Sequence, residues 1–241
     1  MRLLITRPQP DADHLDAELT ARGHTCLIAP GLEIVHFKTA LELDGVQAIL
    51  VTSRNGVRSL SATTDRRDIP VLAVGNGTAG EADAAGFSTL AASGDVAALG
   101  ALVRETVRPD AGTLLWITGK NVRGDLRADL RAAGYNVLRQ VLYDARAVDS
   151  IPPDCAAALE RQEIDGALFF SPRTAQTFVR ILTMAGLDRA TQSVTAFCLS
   201  PAVAAAVADL SWRSVEISGR TDRAALLDLV DQKDAMPKSA G

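Results

Sequence analysis

The chain has 241 residues, enough for one large domain or for two small ones that each bury a core. Apolar residues make up 47% and charged residues 22%, the balance of a soluble globular protein, and no apolar run approaches the roughly 18 residues a membrane-spanning helix needs. A net charge of −4, with basic residues not interleaved among the 4% of aromatics, argues against a nucleic-acid surface.

In chain order, Leu3-Leu4-Ile5-Thr6 reads as a short buried strand that ends in Thr6-Arg7-Pro8. Pro10 with Asp11, Asp13 and Asp16 suits a first helical turn, where acids oppose the dipole. Leu15 and Leu19 give this helix its core face, Gly23 stops it, and Thr25–Ala29 is the next strand. After Pro30-Gly31, the stretch Glu33–Phe37 is extended. Strands follow at Ala48–Val51, Val71–Val74, Phe87–Leu90, Leu114–Ile117 and Asn136–Val141, and helices alternate with them. Gly75–Gly80, GNGTAG, stands between the second of these strands and its helix, and Ser93-Gly94-Asp95 caps another helix. Arg139–Val148 alternates apolar and polar residues through Val141, Tyr143 and Ala145, the period of an extended strand. Beyond it come strands at Gly166–Phe170, Val194–Cys198 and Val215–Ile217, each followed by a helix, the last capped by Asp222 and running through Val230. The tail DQKDAMPKSAG reads as frayed.

Regular strand and helix alternation predicts an α/β protein with parallel sheets. The segment LLITRP with its following helix resembles LLWITGK with its own, AILVTSRNGVRSL resembles ALFFSPRTAQTFVRIL, and VLAVGNGTAGEADAAGF resembles TAFCLSPAVAAAVADLSW. The halves therefore look like repeats, with the β-α-β unit first in one set and last in the other. The predicted layout has residues 1–32 and 149–241 as a discontinuous first domain and residues 39–140 as an inserted second one. Residues 33–38 and 141–148 are linker strands that pair as a two-stranded antiparallel ladder. The fold class is thus two parallel-sheet, flavodoxin-like domains, with Tyr143 beside the cleft that separates them.

Parallel α/β sheets bind ligands beyond the carboxyl ends of their strands. Thr6-Arg7, Thr52-Ser53, Gly75–Thr78, Thr118-Gly119, Ser171-Pro172 and Ser200-Pro201 stand there. Hydroxyls and glycines at helix starts leave backbone N–H groups free for anions, and separated carboxylates or phosphates would suit such a set. GNGTAG is a literal G-x-G-x-x-G with Asp95 about twenty residues on, so a nicotinamide-binding enzyme stays open as an alternative. A non-catalytic binder of a polyanionic small molecule is another. His14, His24 and His36 are too dispersed for a metal site, and Cys26, Cys155 and Cys198 fit no ligand spacing. The thiols suit a reducing, cytoplasmic setting, and the N-terminal stretch lacks an apolar core long enough for a secretory signal. His14 reads as a solvated helix residue, and Trp116 and Trp212 read as core.

The order and spacing of ITRP at Ile5–Pro8, TS with Asn55-Gly56 after Val51, AVGNGTA at Ala73–Ala79, TGKNVRGDL at Thr118–Leu126, VLYDA at Val141–Ala145, FFSPRTA at Phe169–Ala175 and LSPAVA at Leu199–Ala204 resemble the uroporphyrinogen-III synthase family over essentially the whole chain. The resemblance implies two α/β domains joined by a ladder, with the active site in the interdomain cleft. It implies a lyase of tetrapyrrole biosynthesis that cyclises hydroxymethylbilane to uroporphyrinogen III, with loss of water and inversion of the last ring. It implies no cofactor and no metal. The expected partners are the small-molecule substrate and transient contact with hydroxymethylbilane synthase, with neither nucleic acid nor membrane, and the chain is expected to be a monomer. Position by position, Tyr143 becomes the catalytic candidate that assists departure of the hydroxyl. Arg7, Thr52, Ser53, Asn55, Gly75, Thr78, Gly119, Arg123, Ser171 and Ser200 become the substrate-binding set. Ser200-Pro201-Ala202-Val203 departs from family members that carry a glycine and threonines there.

Overall fold

The computed structural model describes residues 1–122 and 124–235. In chain order they form β1 (Arg2–Ile5), α1 (Asp11–Ala21), β2 (Thr25–Ile28), β3 (Leu32–His36), β4 (Val46–Val51), α2 (Arg54–Thr63), β5 (Val71–Val74), α3 (Gly75–Ala84), β6 (Thr89–Ala92) and α4 (Val96–Thr106). They continue as β7 (Thr113–Gly119), α5 (Leu126–Ala132), β8 (Asn136–Ala147), α6 (Pro153–Glu160), β9 (Gly166–Phe169), α7 (Pro172–Met184), β10 (Thr195–Cys198), α8 (Pro201–Ala205), β11 (Ser214–Ile217) and α9 (Arg223–Asp234). The chain divides into two compact units: residues 1–33 with those from Arg146 onward, and residues 34–145.

Unit 1 is built on an all-parallel sheet of order β11-β10-β9-β1-β2. Beyond the opening Arg2 of β1 and Thr195 of β10, its central strands read as apolar runs, because helices cover both faces. Leu4 and Phe169 point to the side held by α6, α7 and α8, where Cys155, Phe178, Leu182 and Val203 close the core. Leu3, Ile5, Leu168 and Phe197 point to the other side, against Leu15 and Leu19 of α1 and Leu226, Leu227 and Val230 of α9.

Unit 2 carries a sheet of order β3-β8-β7-β4-β5-β6, in which β8, β7, β4, β5 and β6 run parallel. Val57 and Leu60 of α2 pack with Ala79 and Ala82 of α3 on one face, and Leu99, Val103, Leu126 and Leu130 pack with Trp116 on the other. Strand β3 lies along the remaining edge of β8, with the Phe37 N–H donating to the Leu142 carbonyl at 2.8 Å. Nearer the start of β3, the Val148 N–H donates to the Gly31 carbonyl at 3.2 Å, so partner numbers fall as chain numbers rise and the pairing is antiparallel.

The segments that resemble each other in sequence occupy matching places in the two sheets. Reading β11-β10-β9-β1-β2 beside β6-β5-β4-β7-β8 puts β9 opposite β4, β10 opposite β5, and β1 opposite β7. Several strand ends lie one or two residues from expectation, and three differences have a clear cause. Asn136–Val141 and the crossing stretch after it are one continuous strand, because β7 and β3 between them pair almost its whole length. Strand β6 starts at Thr89 rather than Phe87, since Phe87 instead closes the end of α3: its N–H donates to the Ala82 carbonyl at 3.0 Å, past Gly86 at φ 86°.

The third concerns the tail, where Asp231–Asp234 belong to α9 and are tied down rather than frayed, while residues 236–241 of the tail lie outside the described residues. Asp231 accepts from Arg22 at 2.7 Å and lies 2.9 Å from His24 Nε2, while the N-terminal ammonium pairs with Asp234 at 3.3 Å. Burial alone would raise the Asp231 pKa, yet its bonds to His24 and Arg22 leave it below the usual carboxylate value. A depressed carboxylate stabilises above its unfolded pKa and loses that contribution as pH falls through the folded one. Asp231→Asn is therefore expected to cost about 0.2–1 kcal/mol at neutral pH, discounted for the half-exposed carboxylate. Urea melts of both proteins should converge as pH drops below the carboxylate range.

Candidate active site

Within an open parallel sheet, the crevice for a ligand opens where strand order reverses. In unit 2 that point lies between β4 and β7, and in unit 1 between β9 and β1. Thr52, Ser53 and Gly119 stand at the first, and Arg7 and Ser171 at the second.

Ser53 is extended at φ −155° and caps α2, its Oγ accepting from the Gly56 N–H at 3.1 Å. The Tyr143 hydroxyl lies 2.7 Å from that same Oγ, although Tyr143 stands on β8, two strands away. The ring crosses the end of β7 to reach it. It can do so only because residue 119 has no side chain: a Cβ there would sit 2.8 Å from both Cε2 and Cζ of the ring. The β7–β8 register shifts between Thr118 and Gly119, bringing Tyr143 opposite Gly119, and the Lys120 N–H donates to the Tyr143 carbonyl at 2.9 Å. Gly119 itself is buried beneath the ring.

Thr52 and Asn55 flank this turn, both half-buried, and Asn55 Oδ1 accepts from Arg58 at 3.2 Å. Arg58 also grips Glu81 through two bonds of 2.8 and 3.0 Å, which fixes α2 to α3. Gly75 opens α3 at φ 73°, a conformation L side chains rarely adopt, and Thr78 is buried one turn further on. The GNGTAG stretch thus lies within α3, opened by the left-handed Gly75, rather than forming a loop before the helix. That departs from the dinucleotide geometry, in which the second glycine admits a pyrophosphate. Here the space at Gly77 is filled by the Arg54 guanidinium, 2.9 Å from where a Cβ would stand, and Arg54 Nε donates to the Gly77 carbonyl at 3.3 Å. Asp95 caps α4, accepting from the N–H groups of Ala97 and Ala98 at 2.9 and 3.2 Å.

In unit 1, Thr6 is fully buried and donates to the Leu168 carbonyl at 2.6 Å, joining the ends of β1 and β9. Arg7 pairs with Asp11 and lies over the Phe170 ring, 4.8 Å from its centroid. Ser171 caps α7, its Oγ accepting from the Thr174 N–H at 3.2 Å and lying 2.8 Å from Thr174 Oγ1. Ser200 caps α8 in the same way, one strand further out, accepting from the Val203 N–H at 3.4 Å. Arg123 lies outside the described residues.

The structure therefore brings Ser53, Gly119 and Tyr143 into contact, with Thr52 and Asn55 beside them. Sequence reasoning missed Arg139, which pins the end of β7: its Nε donates to Thr118 Oγ1 at 3.0 Å, and its Nη2 to the carbonyls of Gly119 and Lys120, each at 3.2 Å. The alternation that singled out Tyr143 also puts Arg139 in phase with it, and that was the available signal. His14 is exposed, Trp116 is buried, and Trp212 packs on the Phe169 ring. Among the described residues no cluster of His, Cys, Asp or Glu could hold a metal ion, and no helix is long and apolar enough to cross a membrane. Burial pushes all three thiols up to about 12, with Asp16 adding to the shift at Cys26 and Asp154 at Cys155, so none supplies a thiolate nucleophile.

Among solved structures, the fold is similar to uroporphyrinogen-III synthetase from Helicobacter pylori 26695, with a TM-score of 0.65 and 17% identity over 97% of this chain and 100% of that one. It is also similar to a mutant uroporphyrinogen III synthase from the extremely thermophilic bacterium Thermus thermophilus, with a TM-score of 0.51 and 19% identity over 97% of this chain and 98% of that one. No curated protein matches the chain. At these identities the structural likeness speaks for the fold. The family itself follows from sequence: the model of uroporphyrinogen-III synthase HemD matches residues 13–228, and the chain belongs to the uroporphyrinogen-III synthase family.

Proposed function

We propose that this chain is a lyase that cyclises hydroxymethylbilane to uroporphyrinogen III, releasing water and inverting the last pyrrole ring. Family membership supplies the reaction. The observation that ties it to particular residues is the 2.7 Å contact between Tyr143 and Ser53 at the switch point of unit 2.

The Ser53 Oγ accepts from the Gly56 N–H, and in the proposed arrangement Ser53 donates its own proton to the Tyr143 oxygen. The phenol O–H is then left to donate away from Ser53, toward a bound hydroxymethyl group. Proton donation to the departing hydroxyl lets the C–O bond break, with the pyrrole nitrogen lone pair forming the azafulvene. The substituted carbon of the far ring attacks this electrophile, giving a spiro intermediate. Fragmentation and reclosure reverse that ring, and loss of the ring proton restores aromaticity and reprotonates the phenolate. No external oxidant, reductant or metal enters the balance. The enzyme's main task is positioning, because direct closure without inversion competes.

Thr52, Asn55, Gly75 and Thr78 in unit 2, with Arg7, Ser171 and Ser200 in unit 1, are assigned to the acetate and propionate carboxylates. The support is their place at strand ends and helix starts. A cytoplasmic location, and receipt of substrate from hydroxymethylbilane synthase, complete this reading.

The test is incubation of the purified protein with freshly made hydroxymethylbilane, followed by identification of the isomer formed. Isomer III supports the proposal, and isomer I at the uncatalysed rate refutes it. General-acid assistance is typically worth about a hundredfold to ten-thousandfold. A pyrrole-stabilised cation needs less help than an alkyl one, so Tyr143→Phe should lower turnover by about a hundredfold or less. A rate within about twofold of the parent would reduce Tyr143 to packing.

A further inference from the structure

On the face of unit 2 that carries α4 and α5, beside the end of β7, lies a cavity of about 420 Å³. Lys120, Arg127, Arg139 and Trp116 line it together with Asp125. Lys120 follows β7 directly, Arg127 stands on α5 and Arg139 on β8, so the adjacency of β7 and β8 converges cations that lie well apart in sequence. None of the three cations is paired with a carboxylate among the described residues. Elsewhere the exposed arginines Arg66, Arg108, Arg161 and Arg220 all have an acidic partner. The one acid at the cavity, Asp125, turns an oxygen to the helix backbone and accepts from the Ala128 N–H at 3.1 Å.

A second, independent feature marks the same place. Among the described residues, the indole Nε1 of Trp116 and the Nε of Arg127 are buried side-chain donors that find no hydrogen-bond partner. Trp116 is only 2% exposed, so water does not serve its N–H freely. Buried donors are satisfied in the great majority of cases, and an exception points to a group that completes the site. Arg139 meanwhile spends its Nε and Nη2 on Thr118, Gly119 and Lys120, which holds it in place, while its Nη1 makes no hydrogen bond among the described residues. One fixed guanidinium, two further cations and a buried N–H donor match a carboxylate, which accepts through two oxygens and can satisfy the buried donors.

We propose that this cavity binds a carboxylate arm of the tetrapyrrole, as a side-chain subsite adjoining the Tyr143 turn. The assignment rests on the function proposed above for its ligand. Arg139 makes the connection physical, since the side chain that lines the subsite also fixes the strand end on which the Tyr143 ring lies.

The experiment titrates the full-length protein with uroporphyrin III, a stable octacarboxylic tetrapyrrole, and separately with inorganic phosphate. The parent is compared with the double variant Lys120→Gln/Arg127→Gln. Losing two charge-assisted bonds should weaken porphyrin binding by roughly tenfold to a hundredfold, with the thermal melt unchanged. In a Trp212→Phe background, which leaves Trp116 as the sole indole, porphyrin should shift the emission of Trp116, and the double variant should abolish the shift. A folded double variant that binds porphyrin within about twofold of the parent overturns the assignment. Loss of phosphate affinity with porphyrin affinity kept also overturns it, and makes the cavity a phosphate site. Failure of the function is read separately: a parent that forms no isomer III yet binds porphyrin through Lys120 and Arg127 keeps the subsite and discards the reaction.

Discussion

Replacing Phe169 by alanine is expected to destabilise unit 1 by about 3–5 kcal/mol. Phe169 ends β9, the strand between β1 and β10, and is fully buried. Its ring meets Phe178 of α7 and Trp212 edge-on, each at 5.6 Å between centroids and at 65° and 74°. Such pairs add to the simple burial of area. The walls cannot close in, because β9 is hydrogen-bonded on both sides and α7 is held by Phe178, Ile181 and Leu182. A well-braced site keeps its cavity, which places the cost toward the upper part of the range. The consequence reaches the strand end: Phe170 turns to the opposite face under Arg7, and Ser171 begins α7. In a chain of this size each kcal/mol moves the melting transition by about 2–4 °C, so the shift should be on the order of 10 °C, read by the fluorescence of the adjacent Trp212. A cost below about 1 kcal/mol would mean the site relaxes, and the packing account would fail.

Much of the fold could be read from the chain because alternation and repetition are local properties. The strands at Leu3–Ile5, Ala48–Val51 and Leu114–Ile117 are short apolar runs bounded by polar turns, and buried parallel strands have to look that way. The repeat segments found matching places in two sheets because each similar segment carries one strand and its helix. What escaped depends on neighbours distant in sequence. Nothing in RQVLYDARAV reveals that β7 and β3 flank it, so its unbroken length was hidden. GNGTAG matches the spacing of a phosphate loop, but Arg54, 23 positions before Gly77, occupies the space that a pyrophosphate would need. Arg7 is a different case, since its partner Asp11 stands only four positions on, where α1 begins.

The site was legible as a set of residue types, and not as an arrangement. Tyr143 and Ser53 were each singled out, but their contact spans 90 positions and exists only because β8, β7 and β4 are consecutive in the sheet. Gly119 was read as a backbone anion holder like the other strand-end glycines. In the fold it lies buried under the Tyr143 ring, and its lack of a side chain is what lets the ring pass. The basic cavity escaped altogether, because Lys120, Arg127 and Arg139 look like ordinary solvated charges until two strands and a helix bring them together.

Gly119→Val is accordingly expected to be more damaging to turnover than Tyr143→Phe. The substituted Cβ would stand 2.8 Å from two ring carbons and 3.1 Å from the hydroxyl, closer than real contacts allow. Either the strand end shifts or the ring leaves. Arg139 resists the first through three bonds to residues 118–120, and Tyr143 is half-buried, so the ring is the part that yields. Overpacking typically costs about 1–3 kcal/mol, and outward movement of the ring holds the loss of stability near the low end. The chemistry has no such relief. Once the ring swings away, the hydroxyl leaves Ser53, and under the proposed mechanism its proton is no longer aimed at the leaving group. Displacement of a reacting group by about 1 Å can cost on the order of a hundredfold, and here it adds to the lost proton donation. Turnover of Gly119→Val should therefore fall by more than about a hundredfold, while Tyr143→Phe keeps its ring in place and loses less. Combining both substitutions should cost little beyond Gly119→Val alone, since the two act through one element and are not additive. Rates of isomer III formation for the parent, both single variants and the double variant decide the matter, with thermal melts confirming that each is folded. A Gly119→Val protein that turns over within about threefold of the parent would show that the passage of the ring over residue 119 is not needed for the reaction.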